Sequence, residues 1–345
     1  MIERIVIDNY KSIQHADVKL QKLNLLIGPN NSGKSNFLKC IEFVSKEGVK
    51  NLGYPNELIL VNLNKENLDS KIIITTGGRE IILPESSAHV DSTGSPSERK
   101  FKADFFKNGF SSEIYKIIPD KLRTLFVVGK APSTLSKNGG NISLLLQNYL
   151  NKHRAIFNTI TTQLYELTNY FTDIVIDIVD GEGRELSKES FGKNVYSKFG
   201  LIAQDEKTFW AEDLSEGVLY LLSLLCIINQ PNHPSLILIE EPETGIHPRR
   251  IKEIIDLIRK LSNEKDVQVI MTTHSPLVVD LFEDEPKSIF VFEMKNGFTE
   301  IKNLQTEIIE PLNKELESKG IEPNKNYGTT LGQNWVDGFL GGVPV

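Results

Sequence analysis

An α/β fold with a phosphate-loop parallel core sheet, an N-terminal antiparallel β lobe and an inserted helical lobe follows from three stretches of this sequence. Residues 23–27 are a short apolar run, followed by Gly28-Pro29-Asn30-Asn31-Ser32-Gly33-Lys34-Ser35 and then by Phe37, Leu38, Ile41 and Val44 at helical spacing. Residues 235–239 are continuously apolar, as expected of a strand buried on both faces of a parallel sheet, and end in Glu240-Glu241-Pro242-Glu243. Residues 267–272 repeat that pattern and end in Thr273-His274-Ser275-Pro276.

Each element then takes its place in order. Residues 2–7, 17–27, 58–63 and 71–83 read as strands and supply the β-rich lobe. Glycines at both ends of the 28–35 loop let successive N–H groups turn inward toward a polyphosphate, and the following helix adds its positive end. Asn30, Asn31, Ser32, Gly33, Lys34, Ser35 and Asn36 are the expected nucleotide-binding residues there, with Lys34 reaching the β- and γ-phosphates and the Ser35 hydroxyl on Mg²⁺. Residues 85–99, rich in Ser, Glu, Pro and Gly without periodicity, read as a loop. Residues 142–172 read as mainly helical, placing the helical lobe at about 130–172, and 174–179 and 199–210 return to strands. Ser215 caps a helix over 218–229, whose small-residue start at Gly217 reads either as an anion site or as a plain capped core helix.

Carboxylates at the end of a buried parallel strand face the crevice where ligands bind in open α/β sheets. Neighbouring side chains on extended backbone point to different sides, so Glu240 can hold Mg²⁺ while Glu241 polarises an attacking water. His274, at the end of the next strand, faces the same crevice. Pro248 leads a helix marked by Ile251, Ile254, Ile255, Ile258 and Leu261, and Asn296-Gly297 signals a hairpin between 289–292 and 298–301. Residues 1–305 are expected to form one domain. Residues 306–345 form a helical tail in which Trp335, Phe339 and Leu340 offer an apolar anchor, either for their own domain or for a partner.

Taken together, the order of these motifs resembles that of the ATP-binding-cassette (ABC) ATPases, in the branch holding the structural-maintenance-of-chromosomes (SMC) heads, RecF, and the OLD (overcoming lysogenization defect) and related prokaryotic defence ATPases. Ile5-Val6-Ile7-Asp8-Asn9-Tyr10-Lys11-Ser12-Ile13 is similar to the family's opening strand and its Asn-aromatic-basic-Ser motif. Ile239-Glu240-Glu241-Pro242-Glu243-Thr244-Gly245-Ile246-His247-Pro248 is closer to the OLD-like branch than to transporters, which usually carry Asp at the position of Glu240. The resemblance implies phosphate binding by Lys34, Mg²⁺ coordination by Ser35 and Glu240, a catalytic carboxylate in Glu241 and a switch histidine in His274. It makes Leu214-Ser215-Glu216-Gly217 the signature motif, with Ser215 and Gly217 on the ATP of the opposite subunit, and places the D-loop at residues 244–247. The chain departs from the family at Val218, where Gln is usual. None of Gln147, Gln163 or Gln204 stands out as the Q-loop residue.

Composition narrows the function further. A formal charge of −7 argues against a surface coated in nucleic acid, while the lysines and arginines between residues 99 and 154 leave two readings, an ordinary solvated surface or a DNA track. The longest apolar run, 219–228, is too short to cross a bilayer, and the first residues lack signal-peptide character, so a cytoplasmic protein with no membrane partner is expected. Cys40 and Cys226 lie in apolar helical runs and read as buried. The sequence between Lys34 and Glu240 has no sustained heptads for a coiled-coil arm. No Toprim nuclease domain is expected after His274, where the sequence shows no Asp-x-Asp cluster to serve one. The expectation is therefore a homodimeric ATPase with two composite sites that acts as sensor or motor for a separate effector, a Toprim-type nuclease being the leading candidate, in antiphage defence. A RecF-like DNA-repair clamp and an ATP-locked scaffold remain open.

Overall fold

The computed structural model describes residues 1–50, 71–76, 79–83, 111–181, 195–231, 233–320 and 329–342; the strand expected at 58–63 and the loop at 85–99 lie outside them. In chain order the elements are β1 (Arg4–Tyr10), β2 (Ile13–Lys19), β3 (Leu23–Ile27), α1 (Lys34–Lys50), β4 (Lys71–Thr76), β5 (Arg79–Leu83), β6 (Ser112–Tyr115) and β7 (Phe126–Val127). Next come α2 (Ile142–Lys152), α3 (Arg154–Thr168), β8 (Phe171–Val179), β9 (Tyr196–Ala203), β10 (Thr208–Trp210), α4 (Glu216–Asn229) and β11 (Leu236–Glu240). The chain continues through α5 (Pro248–Glu264), β12 (Gln268–Thr272), α6 (Pro276–Asp280), β13 (Ile289–Lys295), β14 (Phe298–Asn303), α7 (Glu310–Ser318) and α8 (Leu331–Val336). These elements fall into two compact units, Met1–Ile114 with Pro234–Glu243 and Ile251–Val345, and Tyr115–His233 with Thr244–Arg250.

The first unit holds two sheets. A four-stranded antiparallel sheet has the order β2-β1-β4-β5, and a six-stranded sheet the order β14-β13-β3-β12-β11-β6. Within the second, β11 pairs parallel with β12, β12 with β3 and β3 with β13, while β14 returns antiparallel. Phe37, Leu38, Cys40, Ile41 and Val44 of α1 share one core cluster with Ile5, Ile7 and Val18 of the first sheet and with Leu26, Leu238, Ile270 and Phe292 of the second. Helix α1 is thus apolar toward both sheets, which is why Cys40 joins the face expected from Phe37, Leu38, Ile41 and Val44. Burial also raises the thiol pKa of Cys40 and of Cys226, keeping both as inert small hydrophobes.

The expected strand at 17–27 is two strands in two different sheets. Asn24, fully buried inside β3, closes the corner: its Oδ1 accepts the Gln21 N–H at 2.7 Å and its Nδ2 donates to Gln21 O at 2.8 Å. Gln268 then ties the corner to the core sheet, donating to Gln21 O at 2.8 Å and to Ile2 O at 2.8 Å. The 71–83 segment is likewise an antiparallel pair, β4 with β5, rather than one strand. At Asn296-Gly297 the expected hairpin is present, both residues at positive φ (51° and 83°), with Lys295 paired to Phe298.

The second unit combines helices with an antiparallel sheet of order β10-β9-β7, β8 pairing along β9. The segment expected to be helical to residue 172 breaks at His153 and leaves the helix at Thr168. There Asn169 takes φ 48° and its N–H closes on Tyr165 O at 2.7 Å, a left-handed C-cap. Helix α4 is buried over nearly all of Gly217–Asn229 and packs on α3, which accounts for its largely apolar character.

No helix among the described residues is long and apolar enough to cross a membrane. The ring of Phe37 meets that of Phe292 edge to face, centroids 5.7 Å apart, in the layer between α1 and the core sheet. Phe37→Ala should cost about 3–5 kcal/mol, read as a lower urea midpoint at unchanged slope.

Candidate functional site

Strand register assembles the site. In the pairing of β12 with both neighbours, Thr272 stands opposite Leu26 on one side and Glu240 on the other. Three parallel strands therefore end on one line, and the loops that leave it begin at Gly28, Glu241 and Thr273. The Thr273 N–H completes the edge, donating to Leu26 O at 3.1 Å.

The loop after β3 is shaped by its glycines. Gly28 (φ 145°) and Gly33 (φ 102°) adopt backbone that side chains disfavour, and a Cβ would collide with the Phe292 carbonyl at the first and with the Thr299 side chain at the second. Thr299 is itself held by the Ser12 motif: Ser12 Oγ and Thr299 Oγ1 are 2.8 Å apart, the Thr299 N–H donates to Ser12 O at 2.7 Å, and Asn36 Nδ2 donates to Ser12 Oγ at 2.8 Å. Lys34 is 7% exposed and lies back along the loop, its Nζ donating to Gly28 O at 2.7 Å and Pro29 O at 2.9 Å. Burial pulls its pKa down to about 8, opposed by the carboxylates of Glu241, Glu240 and Glu243. Ser32 Oγ is buried with no hydrogen-bond partner among the described residues. An unpaired hydroxyl, a buried cation and a glycine-shaped turn at the start of α1 fit a polyphosphate, and the exposed Ser35 follows Lys34 where a metal-bound hydroxyl belongs.

Opposite the loop, Glu240 ends β11 partly exposed, and Glu241 adopts φ 51°, held there by its N–H on Thr272 O (3.0 Å) and Thr272 Oγ1 (3.3 Å). His274 Nε2 lies 3.9 Å from Glu241 Oε1, so the structure brings together the acid and the histidine expected from sequence. Asn30 and Asn31 are exposed on the loop, with Asn31 at φ 63°.

Ser215 and Gly217 belong to the second unit. Ser215 caps α4 as expected, Oγ accepting the Val218 N–H at 3.4 Å, and Gly217 packs so that a Cβ would stand 3.2 Å from Arg250 Cδ. Both line a concave pocket with Arg123, His247 and Arg250, and Arg123 also donates to Leu214 O at 3.1 Å. Sequence reasoning missed Arg123 and Arg250 because only folding brings them to the signature motif. It also missed Gly342, whose added Cβ would stand 3.4 Å from Gly28 Cα. The Gly342 N–H donates to Glu293 Oε1 at 2.7 Å, and its carbonyl accepts from Trp335 Nε1 at 3.1 Å. Of the tail residues, Trp335 and Leu340 are buried within the first unit, and Phe339 is exposed.

Binding of a polyphosphate anion beside Lys34 should raise its pKa again. Below about pH 7 the ammonium is already charged and binding exchanges no proton there; above about pH 8 binding takes one up, so affinity falls as pH rises. Calorimetry of a non-hydrolysable ATP analogue in buffers of different ionisation enthalpy should show proton uptake at about pH 9 that shrinks toward about pH 7, where Lys34 is already charged.

Residues 23–280 match the family described as "AAA domain, putative AbiEii toxin, Type IV TA system". The OLD nuclease of Thermus scotoductus is 19% identical over 319 residues, an alignment covering 81% of this chain and 60% of that protein, so the chain spans less than two thirds of this relative. An Smc head solved bound to the C-winged helix domain of ScpA shares the fold, with TM-score 0.52 at 15% identity over 90% of this chain and 99% of that one. Because the family match takes in most of the chain and holds Lys34, Glu240, Glu241 and His274, this protein belongs to that AAA domain family and carries an ABC-type ATPase fold.

Proposed function

We propose that the chain hydrolyses Mg-ATP at two composite sites of a homodimer and acts as sensor or motor for a separate effector in prokaryotic antiphage defence. The observation that carries the ATPase reading is the convergence of the glycine-shaped loop, Glu240-Glu241 and His274 on one edge of the parallel sheet. Loop N–H groups, Ser32 Oγ and Lys34 would bind the phosphates. Mg²⁺, held by Ser35 and Glu240, would neutralise charge developing on the phosphate oxygens. Glu241 accepts the proton of the attacking water as its oxygen bonds to the γ-phosphorus and the bond to the bridging oxygen breaks, releasing ADP and phosphate. His274, beside Glu241, donates a hydrogen bond to the γ-phosphate or the water.

The dimer reading is supported by the pocket at Ser215 and Gly217, where a capped helix N-terminus and the cations of Arg123 and Arg250 suit the γ-phosphate of a second chain. The effector reading is supported by the OLD resemblance, with a Toprim-type nuclease as leading candidate. In this reading nuclease chemistry would reside on another polypeptide, and a cytoplasmic setting suits that role. The family's description as a toxin–antitoxin component accords with a defence role.

Glu241→Gln should keep Mg-ATP affinity and lose turnover by at least about 100-fold, while Lys34→Ala loses affinity; a Glu241→Gln chain that hydrolyses ATP at the unmutated rate rejects the assignment. Mixing Lys34→Ala chains with Ser215→Arg chains should restore partial hydrolysis, because their heterodimer holds one intact composite site. Continued inactivity in verified heterodimers refutes the composite-site reading. Purified alone, the protein should leave DNA and RNA uncut, whereas DNA-stimulated hydrolysis would favour a repair clamp.

A further inference from the structure

Glu243 takes no part in phosphate or metal binding in the proposed reaction, yet it joins the two loops that carry the acid and the histidine. Its Oε1 accepts the Thr273 hydroxyl at 2.6 Å and the His274 N–H at 3.0 Å. Thr273 is fully buried; its own N–H donates to Leu26 O at 3.1 Å, and its Oγ1 accepts the Ser275 N–H at 3.0 Å. In the reverse direction the Glu241 N–H reaches across to Thr272. Each loop therefore anchors the first functional residue of the other. Two short acceptor contacts on one carboxylate oxygen, made to a backbone amide and a buried hydroxyl, leave the His274 backbone little freedom.

The second carboxylate oxygen lies outside this brace. Glu243 Oε2 is buried without a hydrogen-bond partner among the described residues, a cost that a neutral side chain could avoid. A carboxylate is nevertheless present, a few residues from the catalytic acid. We propose that Glu243 is a positioning residue that holds His274 against Glu241 by fixing the backbone from Thr273 to His274. The inference rests on the proposed ATPase reading, since His274 and Glu241 form a working pair only if ATP is hydrolysed there. The consequence for rate follows from geometry. A displacement of about 1 Å in a catalytic group costs on the order of 100-fold, whereas ground-state phosphate binding by Lys34 and the loop would barely change.

The test uses the full chain and two independent readouts. In Glu243→Ala, hydrogen–deuterium exchange at the His274 amide should accelerate at least about 10-fold. The same variant should lose about 10- to 100-fold in kcat with KM for ATP within about threefold. Glu243→Gln keeps an acceptor at the position of Oε1 and should recover most of both, and Thr273→Val, which removes only the hydroxyl half of the brace, should fall between. Because Glu243 acts through His274, Glu243→Ala made in a His274→Ala background should cost no further activity, a non-additivity that a general loss of stability would not give. Unchanged exchange at His274 in Glu243→Ala, equal losses in both backgrounds, or a Gln variant as impaired as the Ala variant would each overturn the inference. If Glu243→Ala does not fold, Thr273→Val and Glu243→Gln carry the same comparison. Absence of ATP turnover in the unmutated chain would instead overturn the proposed function, an outcome distinct from anything read by exchange.

Discussion

Strand β12 is the constraint on which the site depends. It stands between β3 and β11 in a run of four parallel strands, paired on both sides and buried along its length. Parallel pairing brings carboxyl ends to the same edge, and the register from Leu26 through Thr272 to Glu240 leaves almost no stagger between them. A slip of one residue would invert every side chain along the slipped strand, pulling each out of the packing it has on its own face. The chemistry at the edge is thus stabilised by packing in the middle.

What stands at that edge is less comfortable. Lys34 is a cation in a site that lowers its pKa, Glu241 sits at a left-handed φ, and Ser32 Oγ and Glu243 Oε2 are buried without partners among the described residues. Features of this kind cost on the order of 1–3 kcal/mol each and persist where the surroundings over-determine them. Here the surroundings are α1, buried between two sheets, and the Ser12–Thr299–Asn36 hydrogen bonds behind the loop. On the proposed reading, two of these four features, the Lys34 cation and the Ser32 hydroxyl, would be relieved by an incoming phosphate.

The second unit contributes in a different manner. Ser215 caps the start of α4, a largely buried helix whose burial begins at Gly217. Arg123 and Arg250 arrive there from distant parts of the chain, one after the single helical turn at Pro119–Leu122 and one at the start of α5.

Much of this was legible in the residue order because the signals are local. A glycine turn, an apolar run ending in acids and a capping serine each act within a few residues, and the loop, the acid pair, His274 and the Ser215 cap lie where those signals point. Local signals failed where a side chain answers to a distant partner. Residues 17–27 looked like one strand because nothing in their alternation reveals that Asn24 and Gln268 turn the corner between two sheets. Ser12 was visible as part of a motif, but its contact with Thr299 was not. Glu243 was visible as a third acid, but its hold on Thr273 and His274 was not. Residue types and spacing thus specify which groups can bind phosphate and move a proton, since that chemistry belongs to the side chain. Which backbone atoms hold those groups in place is settled only by the folded chain, because hydrogen bonds across some thirty to three hundred residues of sequence form only when strand pairing has brought their partners together.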